Sequence, residues 1–143
     1  MTINQLSVFV ENKIGSLVDV TKTLYENEID MRTLSVAETP DFGVLRAIVN
    51  DPEKTARLLT DAGYVCKLTP VLAVAIDDRP GGMYRVLQTL EQHSINLEYT
   101  YAFVTRTTDT AYMVLRVADN EKAIQVLQEQ NIRLVSAQEV FKL

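Results

Sequence analysis

The residues most able to do chemistry lie in two similar turns. "VENKIGSLVDV" (residues 10–20) and "IDDRPGGMYRVL" (residues 76–87) each place an Asx residue, Asn12 or Asp78, before a glycine that opens an apolar helical pattern. The first N–H groups of a helix have no internal acceptor and lie at the positive end of its dipole, so such a start can bind a carboxylate. An Asx oxygen beside it can accept hydrogen bonds from an ammonium group. These features favour a site for a free amino acid, although turns of this composition also occur for chain geometry alone.

The two turns belong to an internal repeat that runs through nearly the whole sequence. Gly15 matches Gly81 at an offset of 66 residues, and after a two-residue insertion the matches continue at an offset of 68. Apolar positions coincide along both copies. Self-similarity of this kind indicates a duplicated structural unit. We therefore interpret the chain as two domains, residues 1–69 and 70–143.

Each copy has the pattern of a strand, a helix, two strands, a second helix and a fourth strand. The second helices are expected to begin at the N-caps Asp51 and Asp119 and to end at Gly63 and Asn131. The element order predicts an α+β fold made of two ferredoxin-like βαββαβ domains, each an antiparallel sheet with its helices on one face. The fourth strands are predicted at residues 65–68 and 134–141.

Composition excludes several functional classes. The formal charge is −5 with no Lys/Arg-rich block, which argues against nucleic acid as a partner. The longest apolar run, residues 71–76, is too short to span a membrane, and no secretory signal is visible. Cys66 and His93 are the only cysteine and histidine, so an internal disulfide is impossible and we expect no metal site and no cofactor. A reducing cytoplasm is the expected location.

A family resemblance adds to this interpretation. "ENKIGSLVDVTKTLYENEIDMRTL" and "DDRPGGMYRVLQTLEQHSINLEYT" resemble the opening of an ACT domain, a βαββαβ module that binds amino acids and regulates metabolic enzymes. The family pattern is a strand, Asn/Asp, a basic residue, Pro-Gly, an apolar residue, a helix, and then Gly-hydrophobic-Asn-Ile. The second copy matches it with Asp78, Arg79, Pro80, Gly81, Met83, Ile95 and Asn96, whereas the first has Ile14 for proline and Asp30 for asparagine. The resemblance covers both halves and leaves no catalytic domain over.

The resemblance implies a ligand site between the first turn of one domain and a facing domain, with the domains paired side by side. The implied ligand-binding residues are Asn12, Gly15, Ser16, Leu17 and Asp30 in copy one and Asp78, Gly81, Gly82, Met83 and Asn96 in copy two.

Within that site, backbone N–H groups at residues 15–17 and 81–83 would hold the carboxylate. Asn12, Asp78 and carbonyl groups near Asp30 and Asn96 would hold the amine, since connectivity is expected to bring the start of the second strand close to the turn. Copy two is expected to be the stronger half-site, because it fits the pattern better and its Gly82 would leave room for a ligand.

An aromatic asymmetry separates the copies. Tyr99, Tyr101 and Phe103 are expected to alternate on the sheet face without helices, and that face would otherwise be uncovered. Three interpretations stay open: ordinary strand residues, the interface of a homodimer, or a pocket for an aromatic or imidazole side chain. Tyr84, beside the glycines, could contribute to such a pocket.

The function expected from these features is that of a non-enzymatic amino-acid sensor, a homo-oligomer that controls an amino-acid metabolic enzyme or pathway. Binding would favour one domain packing or one oligomer over another. The alternatives are an adaptor that acts without a ligand and a small ferredoxin-like enzyme. Acylphosphatase-like chemistry would need a Gly-rich loop ending in a catalytic arginine, which the sequence lacks.

Overall fold

The computed structural model describes all 143 residues of the chain. The chain divides into two compact units, an N-terminal unit (Asn4–Thr69) and a C-terminal unit (Pro70–Leu143, together with Met1–Ile3). That residues 1–69 and 70–143 act as independent domains stays a prediction.

The N-terminal unit has the predicted order of elements. They are β1 (Ile3–Glu11), α1 (Ser16–Glu26), β2 (Met31–Glu38), β3 (Phe42–Val49), α2 (Pro52–Asp61) and the first residues of β4 (Cys66–Asp77). The strand order is β2-β3-β1-β4, and β3 pairs antiparallel with both β1 and β2. Alternation along β1 directs Leu6, Val8 and Val10 into a core that also contains Leu24 of α1 and Leu59 of α2.

The C-terminal unit repeats this arrangement. Its elements are the remainder of β4, α3 (Gly82–Gln92), β5 (Leu97–Ala102), β6 (Thr110–Val117), α4 (Asn120–Glu129), β7 (Arg133–Leu134) and α5 (Ala137–Val140). The strand order is β5-β6-β4, with β7 paired to β4 on the other side. Leu72 and Val74 of β4 pack with Val86 and Leu90 of α3 and Leu127 of α4. The predicted α+β class with two ferredoxin-like units is therefore confirmed.

The predicted helix boundaries are confirmed at both ends of α2 and α4. The Asp51 side chain accepts from the Lys54 N–H at 3.1 Å, and Asp119 accepts from Lys122 at 3.0 Å. After these helices, Gly63 has φ +94° and Asn131 has φ +56°. Both residues take the left-handed conformation that ends a helix most readily.

The seam between the copies differs from the prediction. Two separate strands were expected on either side of residues 69 and 70, but a single strand, β4, runs through them. Pro70 is exposed in this strand, and a proline is tolerated where its missing N–H is not needed for pairing.

The predicted final strand at residues 134–141 is wrong. Only Arg133–Leu134 pairs with β4, and the chain then forms α5. The sequence "SAQE" at residues 136–139 is a capping box, in which Ser136 caps the helix and the Glu139 side chain accepts from the Ser136 N–H. The local helix-start signal therefore outweighs the strand propensity of the neighbouring valines.

None of the helices is long and apolar enough to cross a membrane. No group of three or more His, Cys, Asp or Glu side chains is placed to hold a metal ion.

Candidate functional site

The two glycine turns have the same backbone geometry. Gly15 has φ +89° and Gly81 has φ +94°, a left-handed conformation that glycine adopts without strain. In the N-terminal unit the Ser16 N–H donates to the Lys13 carbonyl at 3.3 Å, and in the C-terminal unit Gly82 donates to Arg79 at 3.0 Å. The repeat has therefore preserved the turn to the level of individual hydrogen bonds.

These turns begin the only two helices without a side-chain cap. The other three helices are capped by Asp51, Asp119 and Ser136, whereas Gly15 and Gly81 have no side chain to offer. Because N–H groups in the first turn of a helix have no intrahelical acceptor, the amides at its second and third positions remain available to a ligand. Those amides belong to Leu17 and Val18 in α1 and to Met83 and Tyr84 in α3.

A cleft of about 270 Å³ lies beside the second turn. It is bounded by the end of β4, the first turns of α3, the start of β6 and the segment that enters β7. Its lining residues are Ala75, Ile76, Asp77, Gly82, Arg85, Val86, Thr110, Asn131, Ile132 and Arg133.

Two arginines form the charged walls of this C-terminal cleft. The Arg85 guanidinium donates to the Gln130 carbonyl at the end of α4 through Nη2, at 2.7 Å. Arg133 donates to Glu139 at 2.7 Å. The hydrogen bond to Glu139, and secondarily one to Tyr112, raises the pKa of Arg133 above its ordinary value. The lining of the cleft thus contains two positive groups, each held by a hydrogen bond to the protein.

A second cleft, of about 320 Å³, lies beside the first turn. Its lining residues are Phe9, Val10, Glu11, Lys13, Ser16, Asp19, Gly63, Tyr64 and Val65. Glu11 forms an exposed ion pair with Lys13 at 2.6 Å, and this hydrogen bond raises the pKa of Lys13. At the matching place in the C-terminal unit, Asp77 pairs with Arg79 at 2.9 Å.

The predicted ligand residues are only partly brought together at these clefts. Ser16 and Gly82 line them, and Asp78 lines a neighbouring depression with Asp77, Arg79 and Asp109. Asn12 is exposed and its side chain donates to the Thr39 carbonyl at 2.9 Å, which ties the turn to the end of β2. Gly15, Leu17, Gly81, Met83 and Tyr84 lie in the turns and first helical residues but do not line the clefts.

The expected proximity of Asp30 and Asn96 to the turns is wrong within each unit. Each residue follows an 11-residue helix that begins at the turn, and such a helix is roughly 16 Å long. Asp30 instead lies near the end of β3, where its N–H donates to Asn50 at 3.1 Å and its carboxylate pairs with Arg32 at 2.9 Å.

The expected roles of two turn residues also need correction. The Ser16 and Gly82 N–H groups are already bonded within their turns, so they do not remain free for a carboxylate. The absence of a side chain at Gly82 does not open space for a ligand, because the place of its Cβ is blocked by the Asp77 carbonyl oxygen. The glycine is required there by the close approach of the backbone.

The aromatic face lies where the sequence predicts but is not bare. In the β5–β6 register, Tyr101 pairs with Val114 and Tyr99 pairs with Arg116. Neither partner belongs to the core cluster that packs against the helices, so both tyrosines lie on the other face. The two tyrosine rings stack with their centroids 6.4 Å apart. Both rings are half-buried and Phe103 is buried, so the single chain already shields much of the face proposed as an interface or pocket.

Sequence reasoning missed the cleft walls formed by Arg85 and Arg133. Both are isolated charged residues in amphipathic segments, and such residues usually lie on a solvated surface. A signal was present in the repeat itself, because the matching residues of copy one, Asp19 and Val65, have different charges.

Comparisons with known proteins agree with this architecture. A family model described as an ACT domain pair matches residues 1–143. A crystal structure of a protein from Bacteroides thetaiotaomicron is 36% identical with a TM-score of 0.93 and covers 100% of this chain and 98% of its own. The regulatory subunit of aspartate kinase from Thermus thermophilus has 15% identity and a TM-score of 0.66, covering 90% of this chain and 93% of its own.

The regulatory subunit of aspartate kinase from Thermus flavus is also similar, with 13% identity, a TM-score of 0.60, and coverage of 89% of this chain and 92% of its own. No curated protein matches the sequence. At these identities the kinase subunits support the fold, while the family model spans the whole chain. The chain therefore belongs to the ACT family and is, along residues 1–143, a pair of ACT domains.

Proposed function

We propose that this protein is a non-catalytic regulatory protein that binds a free amino acid and signals to an enzyme of amino-acid metabolism. The observation that carries the proposal is the pair of uncapped helix starts in an ACT domain pair, each beside a cleft of small-molecule size. Membership of a family of amino-acid-binding regulators, and similarity to proteins described as regulatory subunits of aspartate kinase, support it.

In the C-terminal unit, the α-carboxylate of the ligand would bind the free amides of Met83 and Tyr84 at the positive end of α3. The ammonium group would bind Asp78, which is exposed and lies next to the turn. Asp77 bounds both the cleft and the neighbouring depression, and its carboxylate, which is paired with Arg79, has further lone pairs that could accept from the ammonium. The N-terminal turn has the same free amides but presents Asn12 in place of a carboxylate.

A regulatory rather than catalytic role fits the surroundings of the reactive side chains. The Cys66 thiol donates to the Ala56 carbonyl at 3.3 Å and also contacts Thr60. His93 Nδ1 lies 2.8 Å from the Thr89 carbonyl at the end of α3. Both groups are engaged in local helix contacts, outside either cleft.

The proposal includes the routes by which binding would be transmitted. The ligand would shift the protein between two packings or two oligomeric states, of which a homodimer is the expected one. The receiving partner would be a metabolic enzyme in the cytoplasm.

The proposal is tested by differential scanning fluorimetry of the full chain with each of the twenty L-amino acids at millimolar concentration. At least one should raise the melting temperature, because a ligand that binds only the folded state stabilises it. The D-enantiomer serves as the matched control and should have a smaller effect. Asp78→Asn should weaken binding about tenfold, the loss expected for one charge-assisted hydrogen bond. It should leave the unliganded stability unchanged, since Asp78 is exposed. A flat response to all twenty would overturn the proposal and favour a ligand-free adaptor.

A further inference from the structure

The C-terminal cleft contains a positive charge that no carboxylate of the protein neutralises. Arg85 is exposed, and its guanidinium bonds to a neutral carbonyl oxygen, that of Gln130, without forming an ion pair. A guanidinium has five N–H donors in a planar fork. The single bond through Nη2 holds the group in place and leaves its remaining donors for a ligand.

Arg133 supplies a second guanidinium from the opposite wall of the same cleft. Its ion pair with Glu139 at 2.7 Å fixes the side chain and balances its charge, so Arg85 carries the excess positive charge. The same lining contains the apolar residues Ile76, Val86 and Ile132.

The size and the remaining charge of the cleft limit what can bind. A volume of about 270 Å³ lies just below the range typical of drug-sized ligands, roughly 300–1,000 Å³. Asp77, at the end of β4, provides a carboxylate on the same lining, and its ion pair with the exposed Arg79 leaves further acceptor lone pairs for an ammonium group. The cleft therefore suits a small molecule with an ammonium group and more than one carboxylate.

The repeat shows that the arginines are not required by the fold. At the position of Arg85 the N-terminal copy has Asp19, and at the position of Arg133 it has Val65. Asp19 and Val65 line the N-terminal cleft as the arginines line the C-terminal one. The same backbone thus forms with and without the two cations.

We propose that the C-terminal cleft is selective for an amino acid with an acidic side chain, whose second carboxylate binds Arg85 and Arg133. This inference rests on the proposed function, in which the α-carboxylate and ammonium bind at the turn. Charge-assisted, bidentate pairing of guanidinium and carboxylate supplies the selectivity. The N-terminal cleft, with Asp19 in place of the arginine, lacks this selectivity.

Isothermal titration of the full chain with L-aspartate and L-glutamate tests the inference, with L-asparagine and L-glutamine as neutral isosteric controls. The acids should bind roughly tenfold or more tightly than the amides, as expected for a charge-assisted pair. Arg85→Asp, which installs the residue of the other copy, should abolish this preference while amide binding persists. Asp19→Arg, in the N-terminal cleft, is the matched control and should leave the preference of the C-terminal cleft intact.

Arg85 also contacts the end of α4, so circular dichroism must show that Arg85→Asp is folded. Arg85→Gln, which can still donate to the Gln130 carbonyl, is the second variant and should lose the same preference. Equal binding of acids and amides by the wild type, or a preference that survives both substitutions, overturns the inference and leaves the proposed function standing.

Succinate, which has two carboxylates and no amine, separates the two proposals. Binding of succinate that is lost in Arg85→Gln, without binding of any amino acid, would support the carboxylate site and contradict the amino-acid function. Absence of binding by all five probes would overturn the inference, whereas the proposed function would fall only with a flat response to all twenty amino acids.

Discussion

The two clefts occupy equivalent places in the repeat and present opposite chemistry. In the C-terminal unit the charged walls are Arg85 and Arg133, whereas the N-terminal unit has Asp19 and Val65. Phe9 of the N-terminal cleft, 53% exposed, replaces the small Ala75 of the other. One cleft is cationic and polar-walled, and the other is acidic with exposed apolar surface.

The backbone beneath these walls has diverged much less. The turn glycines have φ values of +89° and +94°, and the same sequence of turn hydrogen bonds follows in each copy. Each turn also has an acidic and a basic residue paired two positions apart. Retained turns and divergent walls indicate that the turn specifies a shared part of recognition, while the walls specify which ligand is accepted.

The largest effect is expected at the residue that follows each turn glycine, which is Ser16 in one unit and Gly82 in the other. Gly82→Ser should destabilise the protein by about 2–3 kcal/mol, because the new Cβ would clash with the Asp77 carbonyl oxygen and the backbone must move. The reverse change, Ser16→Gly, should cost less than about 1 kcal/mol, since it only removes a small side chain near a helix start. Urea denaturation of both variants measures the difference.

A similar loss for Gly82→Ser and Ser16→Gly would contradict this comparison. It would mean that the backbone at Gly82 can move away from the Asp77 carbonyl with no loss of folding free energy, so that both turns accommodate a side chain equally well.

A smaller effect, equal in the two units, is expected at the left-handed glycines. Gly15→Ala and Gly81→Ala should each cost about 1–2 kcal/mol, the price of a Cβ in the left-handed region. Neither position has an atom within 4 Å of an added Cβ, so backbone strain alone sets the loss. Denaturation midpoints for the pair should agree within experimental error. A difference above about 1 kcal/mol would show that the turns are less alike than their hydrogen bonds suggest.

The repeated fold was readable from the sequence because its signals are local and periodic. The caps at Asp51 and Asp119 and the left-handed residues Gly63 and Asn131 are each determined by neighbours in the chain. The continuous β4 was missed since Pro70 usually marks a break. The short α5 was missed because valines at residues 135 and 140 favoured a strand over the Ser136 capping box.

The site was less predictable, since its walls come from segments far apart in sequence. Arg85 and Arg133 lie 48 positions apart and meet at one cleft because α3 packs against α4 and α4 contacts β7. Asp30 was misplaced because α1 carries the chain to the other end of the unit before β2 begins. Sequence shows which residues follow a turn, but three-dimensional packing decides which ones face it.

The smallest effect concerns a wall of the C-terminal cleft that has no counterpart in the N-terminal one. Glu139 of α5 holds Arg133, and hydrogen bonds from the Ser136 N–H and from Arg133 lower the pKa of Glu139 from the ordinary 4.5. A lowered folded-state pKa means that the ionised form stabilises the fold above pH 4.5, and that this contribution is lost as the pH falls through the folded pKa. Glu139→Gln should therefore loosen α5 at pH 7, and its difference from the wild type should shrink as the pH falls through the lowered folded-state pKa of Glu139.

The fully buried Val140 of α5 provides the local probe. Its methyl resonances, followed by NMR against pH, should change in the wild type on acidification and should already be shifted at pH 7 in Glu139→Gln. The resonances of residues lining the N-terminal cleft should not change in Glu139→Gln, because that cleft has Val65 at the position of Arg133. If the Val140 resonances of the wild type do not change on acidification, then the burial of Val140, rather than the Arg133–Glu139 pair, holds the helix and the cleft wall in place.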